Sequence, residues 1–237
     1  MIKHTVTPEV LRKLREFDTC TVSNAIDRLA IRLRNEGFTD ETIQCRYQHL
    51  PPMLGYAVTG RLRSSSPPIA GGCYYDHMDW WRYVISLPEP RVIVMQDIDT
   101  DRGAGAWFGE IHAAICGVLG CAGYVTNGLV RDVAAVRAMR FPLFSGGIVV
   151  SHAYAHVVDF GAPVEIGGLK IMPGDLLHGD ANGLITIPVS IAAEIPAVAA
   201  EVWETERELI RFCRSPEFSL EELPSKFREL KMQPSGM

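Results

Sequence analysis

The stretch Gly109-Glu110-Ile111-His112-Ala113-Ala114-Ile115-Cys116-Gly117-Val118-Leu119-Gly120-Cys121-Ala122-Gly123-Tyr124-Val125-Thr126-Asn127-Gly128-Leu129-Val130-Arg131-Asp132 decides the fold. Residues 110–119 form an Ala/Cys/Leu-rich run of helical length. Residues 123–126 read as a strand, and Asn127-Gly128 as a turn. Upstream, Val92-Ile93-Val94-Met95 is a continuous apolar run, which marks a buried strand. Downstream, residues 133–139 read as a short helix and 142–144 as a short strand. Strand, loop, helix and strand in this order imply a parallel crossover, so the chain is α/β.

The flanks extend this frame. Thr7-Pro8-Glu9 is a helix start, with a capping hydroxyl, Pro at the first position and then an acid. That helix is expected to reach about Phe17, with Val10, Leu11, Leu14 and Phe17 on one face. Ser23 is expected to cap a second helix carrying Ala25, Ile26 and Leu29. Residues 32–52 have no clean period and read as a long excursion. Residues 55–63 form a strand that Ser64-Ser65-Ser66-Pro67-Pro68 breaks. The aromatic-rich residues 76–86 read as helical. From 148 to 188 short β runs alternate with turns. Gly167-Gly168 is a hairpin signal, and Asp180-Ala181-Asn182-Gly183 a turn between strands. A long amphipathic helix is expected at 190–213. Ser219 to Glu222 is a capping box ahead of a last short helix, and the tail 233–237 is expected to be disordered. No repeat or linker divides residues 1–237, so a single domain is expected.

Composition narrows the function classes. The chain has 237 residues, 47% hydrophobic and 22% charged, as expected for a globular protein. A net charge of -5 argues against a nucleic-acid surface. No apolar run approaches the ~20 residues of a membrane span, and Met1 to Thr5 lacks the apolar core of a signal peptide. The cytoplasm is the expected compartment. Cys20, Cys45, Cys73, Cys116, Cys121 and Cys213 show no CxxC or zinc-ribbon spacing, and no disulfide framework is expected. No Gly-x-Ser-x-Gly elbow supports a serine hydrolase, and no glycine-rich cofactor loop after a first strand supports a methyltransferase.

Arg131 and Asp132 are the leading candidates. A fixed cation beside a hard oxygen ligand can hold an oxo-acid: its carboxylate goes to the guanidinium, and a divalent cation on the Asp polarises its keto oxygen. The competing reading is that Asp132 caps the helix beginning at Val133. Adjacent strand residues point to opposite faces, so the functional reading requires irregular backbone at 130–132. The amides of Gly109, Glu110, Ile111 and His112 open a helix and form an anion site. Alternatively, Glu110 is a first-turn acid complementing the helix dipole. His112 either donates a hydrogen bond there or is half buried. Asp97, Asp99 and Asp101 lack the Gly and Glu of a calcium loop and read as a solvated acidic loop, with Asp97, at the end of a buried strand, the one of the three expected to face a site. His152 and His156 lie four apart, but in a β and loop context, and read as structural.

Gly109-Glu110, Arg131-Asp132, Phe141-Pro142-Leu143-Phe144, Pro163 to Gly168, Pro173-Gly174-Asp175 and Asp180 to Pro188 match a known family in order and spacing. Over about residues 10–215 the chain resembles the RraA-like group. That group includes class II 4-hydroxy-4-methyl-2-oxoglutarate and 4-carboxy-4-hydroxy-2-oxoadipate aldolases, oxaloacetate decarboxylases and regulators of ribonuclease E. The motif of an acid, twenty residues and then Arg-Asp is the most specific part. The resemblance implies a three-layer β/β/α sandwich like the swivelling phosphohistidine domain, assembled as homotrimers or hexamers with sites at subunit interfaces. It implies a lyase acting on a small 2-keto acid. Gly109, Glu110, Ile111 and His112 would bind substrate, Arg131 its carboxylate, and Asp132 Mg²⁺ or Mn²⁺. Glu110, and Glu206 from the C-terminal helix of a neighbouring subunit, would reach the metal through water. Aldolase members carry an acid three residues after the motif Asp, where this chain has Ala135. Oxaloacetate-type decarboxylation requires only the metal and the Arg. The alternative the resemblance carries is a non-catalytic regulator of an RNA-processing enzyme.

Overall fold

The computed structural model describes residues 5–69, 77–99 and 103–231. Cys73, Asp76, Asp101 and the tail 233–237 lie outside the described residues. In chain order the elements are helices α1 (Pro8–Leu14) and α2 (Thr19–Leu29), strands β1 (Gln44–Cys45) and β2 (Met53–Arg63), helix α3 (His77–Ser86), strands β3 (Arg91–Asp97) and β4 (Ala106–Phe108), and helix α4 (Glu110–Val118). There follow β5 (Cys121–Thr126), β6 (Leu129–Val130), α5 (Val133–Ala138), β7 (Leu143–Ser145), β8 (Gly147–Ile148), β9 (His156–Phe160), β10 (Val164–Ile166), β11 (Leu169–Ile171), β12 (Leu176–Asp180) and β13 (Gly183–Ile187). A 3-10 turn (Val189–Ile191) leads to α6 (Ile195–Cys213) and α7 (Leu223–Glu229).

The main sheet has eight strands in the order β1-β7-β5-β3-β2-β12-β13, with β9 pairing β2. Its centre, β2-β3-β5-β7, is parallel, and its flanks are antiparallel. β2 is buried along nearly its whole length, as expected of a central strand covered on both faces. Its alternate residues sort into two layers. Leu54 and Tyr56 meet α1, α2 and α6 through Leu14, Val22, Ile26 and Ile195. Val58 and Leu62 join the core formed with α3, α4 and α5. Met53 and Ala57 face the other way, onto the β10–β11 hairpin through Val164, Ile166, Leu169 and Ile171. The sheet thus carries helices on one face and a hairpin on the other.

The parallel crossover is present as expected. Thr7 caps α1, its hydroxyl accepting from the Val10 amide at 3.4 Å. Three boundaries differ from the sequence reading. Asp18, not Ser23, caps α2, accepting from the Thr21 amide (2.8 Å) and hydroxyl (2.9 Å). α1 ends at Leu14, short of Phe17. α6 begins at Ile195 rather than 190, with Pro196 in its first turn, where a missing N–H does no harm. Residues 32–52 are not a free excursion: β1 pairs with β7, and Phe38 bridges to Ile185. Among the described residues no helix is long and apolar enough to cross a membrane.

Candidate active site

A small three-stranded parallel sheet, β4-β6-β8, positions the candidate residues. Ala106 pairs with Leu129 and Phe108 with Val130, so the C-terminal ends of β4 and β6 lie side by side. Gly109 follows the first and Arg131-Asp132 the second, each opening a helix. The Arg131 amide donates to Phe108 O at 3.1 Å and fixes this pairing. Residues 22 apart in sequence, Glu110 and Asp132, therefore meet.

The backbone at Asp132 is irregular, as the functional reading required. Its φ of 55° and ψ of 32° are left-handed, a conformation that Asp tolerates better than most residues. The side chain makes no capping bond to α5. It turns instead towards β4: Oδ2 accepts from Arg131 Nε at 3.2 Å and from the Glu110 amide at 3.3 Å. The capping reading is therefore overturned. Partial desolvation pushes this carboxyl upward. The Glu110 amide, Arg131 and His152 together outweigh it and hold Asp132 below the usual carboxylate range. Gly109 makes the close approach feasible, since a Cβ there would sit 2.5 Å from Asp132 Oδ2.

The anion site is partly spent within the chain. The Glu110 amide serves Asp132, while the Gly109 and Ile111 amides make no hydrogen bond to the described residues. The Glu110 carboxylate is exposed. His112 is half buried, its ring 4.2 Å from that of Trp107 and 6.2 Å from that of Trp81. Its expected place near the site stands, with an aromatic wall behind it. The terminal nitrogens of Arg131 make no hydrogen bond to the described residues, and its side chain is 28% exposed. A free guanidinium fork suits a carboxylate. Glu206 lies on α6, where Oε1 accepts from Asn24 at 3.1 Å. Within one chain the structure does not bring it to Asp132 through any bond among the described residues.

Two residues change role relative to the sequence reading. Asp97 is 2% exposed, not part of a solvated loop. Its Oδ2 accepts from Ser64 Oγ (3.1 Å) and its Oδ1 from the Asp99 amide (3.0 Å), and its backbone pairs with the Asn127 side chain. Burial pushes its carboxyl up, against these bonds. Ser64 Oγ also accepts from the Ala104 amide at 2.9 Å, so the cluster anchors the loop leading to β4. His152, read as structural, lies near enough to Asp132 to act on its charge. Its Nδ1 lies 3.0 Å from Ala106 O. A carbonyl only accepts, so Nδ1 carries the proton and Nε2 remains available. His156 stays structural, 6% exposed and bonded to Tyr154 O.

No group of three or more His, Cys, Asp or Glu able to hold a metal exists among the described residues. Asp132 Oδ1, without a hydrogen bond to them, offers one hard oxygen. A single carboxylate completed by waters and substrate oxygens suits Mg²⁺ or Mn²⁺ and does not suit a zinc-type cage. Two hollows among the described residues lie away from this corner. One of about 590 Å³ is bordered by Asp18, Asp180 and Trp203, and one of about 600 Å³ by Val6, Val10 and Val189. Strand-end geometry, rather than hollow size, marks the candidate site.

The Aldolase/RraA (RraA-like) family model matches residues 19–186. The chain belongs to the RraA-like family. A Halalkalibacterium halodurans protein bearing the name "Putative 4-hydroxy-4-methyl-2-oxoglutarate aldolase" is 36% identical over 81 residues, 34% of this chain and 39% of that protein. Methanocaldococcus jannaschii protein MJ0644 is 27% identical over 134 residues, 55% of this chain and 64% of its own length. The matches thus span less than two thirds of these relatives. A solved structure from Pseudomonas syringae pv. tomato DC3000, of an uncharacterized protein, superposes with a TM-score of 0.73 at 26% identity, over 95% of this chain and 97% of that one. Streptomyces coelicolor RraAS2 shares the fold, with a TM-score of 0.67 at 24% identity, over 87% of this chain and 100% of its own.

Proposed function

We propose that this RraA-like chain is a divalent-metal-dependent carbon–carbon lyase acting on a small 2-keto acid. One observation carries the reading: Asp132 Oδ2 gathers Arg131 Nε and the Glu110 amide at the joined ends of β4 and β6. Arg131 would take the substrate carboxylate through its terminal nitrogens, and the Gly109 and Ile111 amides would bind a second substrate oxygen. Asp132, held ionised, would bind Mg²⁺ or Mn²⁺. When bound, that cation supplies a Lewis acid for the keto oxygen. Position 135 is Ala, so no acid stands three residues on from Asp132 to serve as a base. Decarboxylation of an oxaloacetate-type acid requires no hydroxyl deprotonation, and this chain's residues favour it over aldol cleavage.

The same reading gives the fold the three-layer form of the swivelling phosphohistidine domain. It also assembles the chain as a homotrimer or hexamer, in which Glu206 of a neighbouring copy approaches the site. Exposed Ile111 (74%) on α4, Ile148 (55%) at the end of β8 and Val150 (91%) just beyond β8 border the site, and they support a contact surface there.

The test is a coupled assay for pyruvate from oxaloacetate and from 4-hydroxy-4-methyl-2-oxoglutarate, with Mg²⁺ or Mn²⁺. Turnover is expected to vanish with EDTA and to return with metal. Asp132→Ala should lower kcat/KM by about a hundredfold or more. Full metal-dependent turnover by Asp132→Ala would overturn the assigned role. No pyruvate from either acid, with a pull-down of an RNA-processing enzyme that survives EDTA, would favour the regulator.

A further inference from the structure

We propose that Cys116 and Cys121 form a redox-active dithiol, converted to a disulfide by a hydroperoxide entering the hollow beside Cys121. This inference is independent of the lyase reading and lies at the opposite end of α4 from Gly109.

Cys116 sits in the last turn of α4 and Cys121 opens β5. Both belong to one buried core, with Cys116 fully enclosed and Cys121 9% exposed. The two thiols lie close enough for each to act on the other. Cys121 also lines a hollow of about 420 Å³ bordered by Arg15, Gly117, Met139 and Arg140. Nothing lies within 4 Å of where a Cβ on Gly117 would stand, so the helix wall is bare beside the pair. Arg91 is directly opposite Cys121 in the β3–β5 ladder. It is held by Leu87 O (2.7 Å), Leu119 O (2.6 Å), Ile85 O (3.3 Å) and Glu89 (3.0 Å), which leaves a fixed cation near the sulfur. Cys116, then Arg91, draw the Cys121 thiol below its usual range against burial and the Glu89 charge. Cys116 is driven up by its neighbour Cys121 and by burial. Cys121 borders the hollow while Cys116 is enclosed behind it, which makes Cys121 the attacking sulfur and Cys116 the resolving one.

The chemistry balances. The Cys121 thiolate attacks one peroxide oxygen. An S–O bond forms, the O–O bond breaks, and the departing oxygen takes up a proton to leave as alcohol or water. The Cys116 sulfur then attacks the sulfenyl sulfur. An S–S bond forms, the S–O bond breaks, and hydroxide leaves as water with the Cys116 proton. The two thiols are oxidised, and the peroxide is reduced.

The full chain is treated with graded hydrogen peroxide, denatured, alkylated and digested with trypsin. Residues 103–131 contain no Lys or Arg before Arg131, so one peptide carries both cysteines and no other. That peptide should become two hydrogens lighter and resist alkylation before exposed Cys20 and Cys213 are lost, and thiol reduction should restore it. Cys116→Ser should leave a dimedone-reactive sulfenic acid at Cys121. A peptide that stays fully alkylated while Cys20 and Cys213 oxidise would overturn the proposal. The wild-type measurement stands even if the variant fails to fold.

Discussion

Gly109 adopts φ −158°, an extended backbone open to any residue, so its value lies in having no side chain. A methyl group there would overlap Asp132 Oδ2 at 2.5 Å and crowd Arg131 Cγ at 3.1 Å. Gly109→Ala is therefore expected to displace the Asp132 carboxylate and reduce turnover severely, with a thermal midpoint close to that of the parent. Steady-state kinetics beside a melting curve separate the two effects; unchanged turnover would show that Asp132 does not need this position. Asp132 calls for the converse choice of variant. Asn occupies left-handed backbone as readily as Asp. Asp132→Asn thus removes the charge while sparing the bend, and the proposed metal-dependent activity is expected to fall as far as with Asp132→Ala.

Among the elements, the β10–β11 hairpin turns through Gly167 (φ 52°) and Gly168 (φ 72°), the left-handed pair that a two-residue hairpin demands. A Cβ on Gly168 meets nothing within 4 Å, whereas one on Gly167 would lie 2.6 Å from Ile43 Cγ1. Gly168→Ala should cost about 1 kcal/mol from backbone strain alone. Gly167→Ala should cost clearly more, which urea midpoints would show; equal losses would mean that Ile43 yields freely. This hairpin was legible in the sequence because a Gly-Gly pair between β runs acts locally. The crossover and the Asp180–Gly183 turn were legible for the same reason: Asp180 Oδ1 accepts from the Asn182 amide two residues on. The Asp18 cap is equally local, since its carboxylate reaches the Thr21 amide three residues on. What stayed hidden depends on distant partners. Asp97 is enclosed with Ser64 and Asn127, 33 and 30 positions away in sequence, and nothing near it in the chain announces them. His152 reaches the site only because residues 151–153 pack over β4, with the Ala106 amide bonding Ser151 O at 2.9 Å. The Arg131-Asp132 pair stood out by residue type; the bend at 130–132 followed only as a condition of the functional reading, because its left-handed residue is Asp132 itself and no Gly marks it.

At the scale of the whole molecule, His178 joins the N-terminal helices to the sheet. It is fully buried, with Nδ1 3.0 Å from Thr19 Oγ1 and Nε2 3.3 Å from Leu14 O. Leu14 O can only accept, so Nε2 carries the proton and Nδ1 accepts from Thr19. Burial lowers its pKa to about 4 from 6.5, against the opposing pull of Asp180 and Asp18. The unfolded chain therefore binds the proton more readily than the folded one. The resulting stabilisation is fully present above pH 6.5 and is lost as the pH falls towards 4, amounting to about 3 kcal/mol. Denaturant titrations across that window should show stability falling with acidity, and His178→Gln should flatten the slope. An unchanged slope would mean that other groups govern acid unfolding.

The strands that carry the candidate site, β4, β6 and β8, have only two or three residues each, too few to persist alone. β5, which lies between β4 and β6 in the chain, belongs to the main sheet. The chain is thus stitched from one sheet into the other and back within a few residues. The candidate site can have no melting transition of its own: the amide proton of Arg131 should exchange with solvent only as fast as those of the central strands, and a ligand tightening that corner would slow exchange in the large sheet as well.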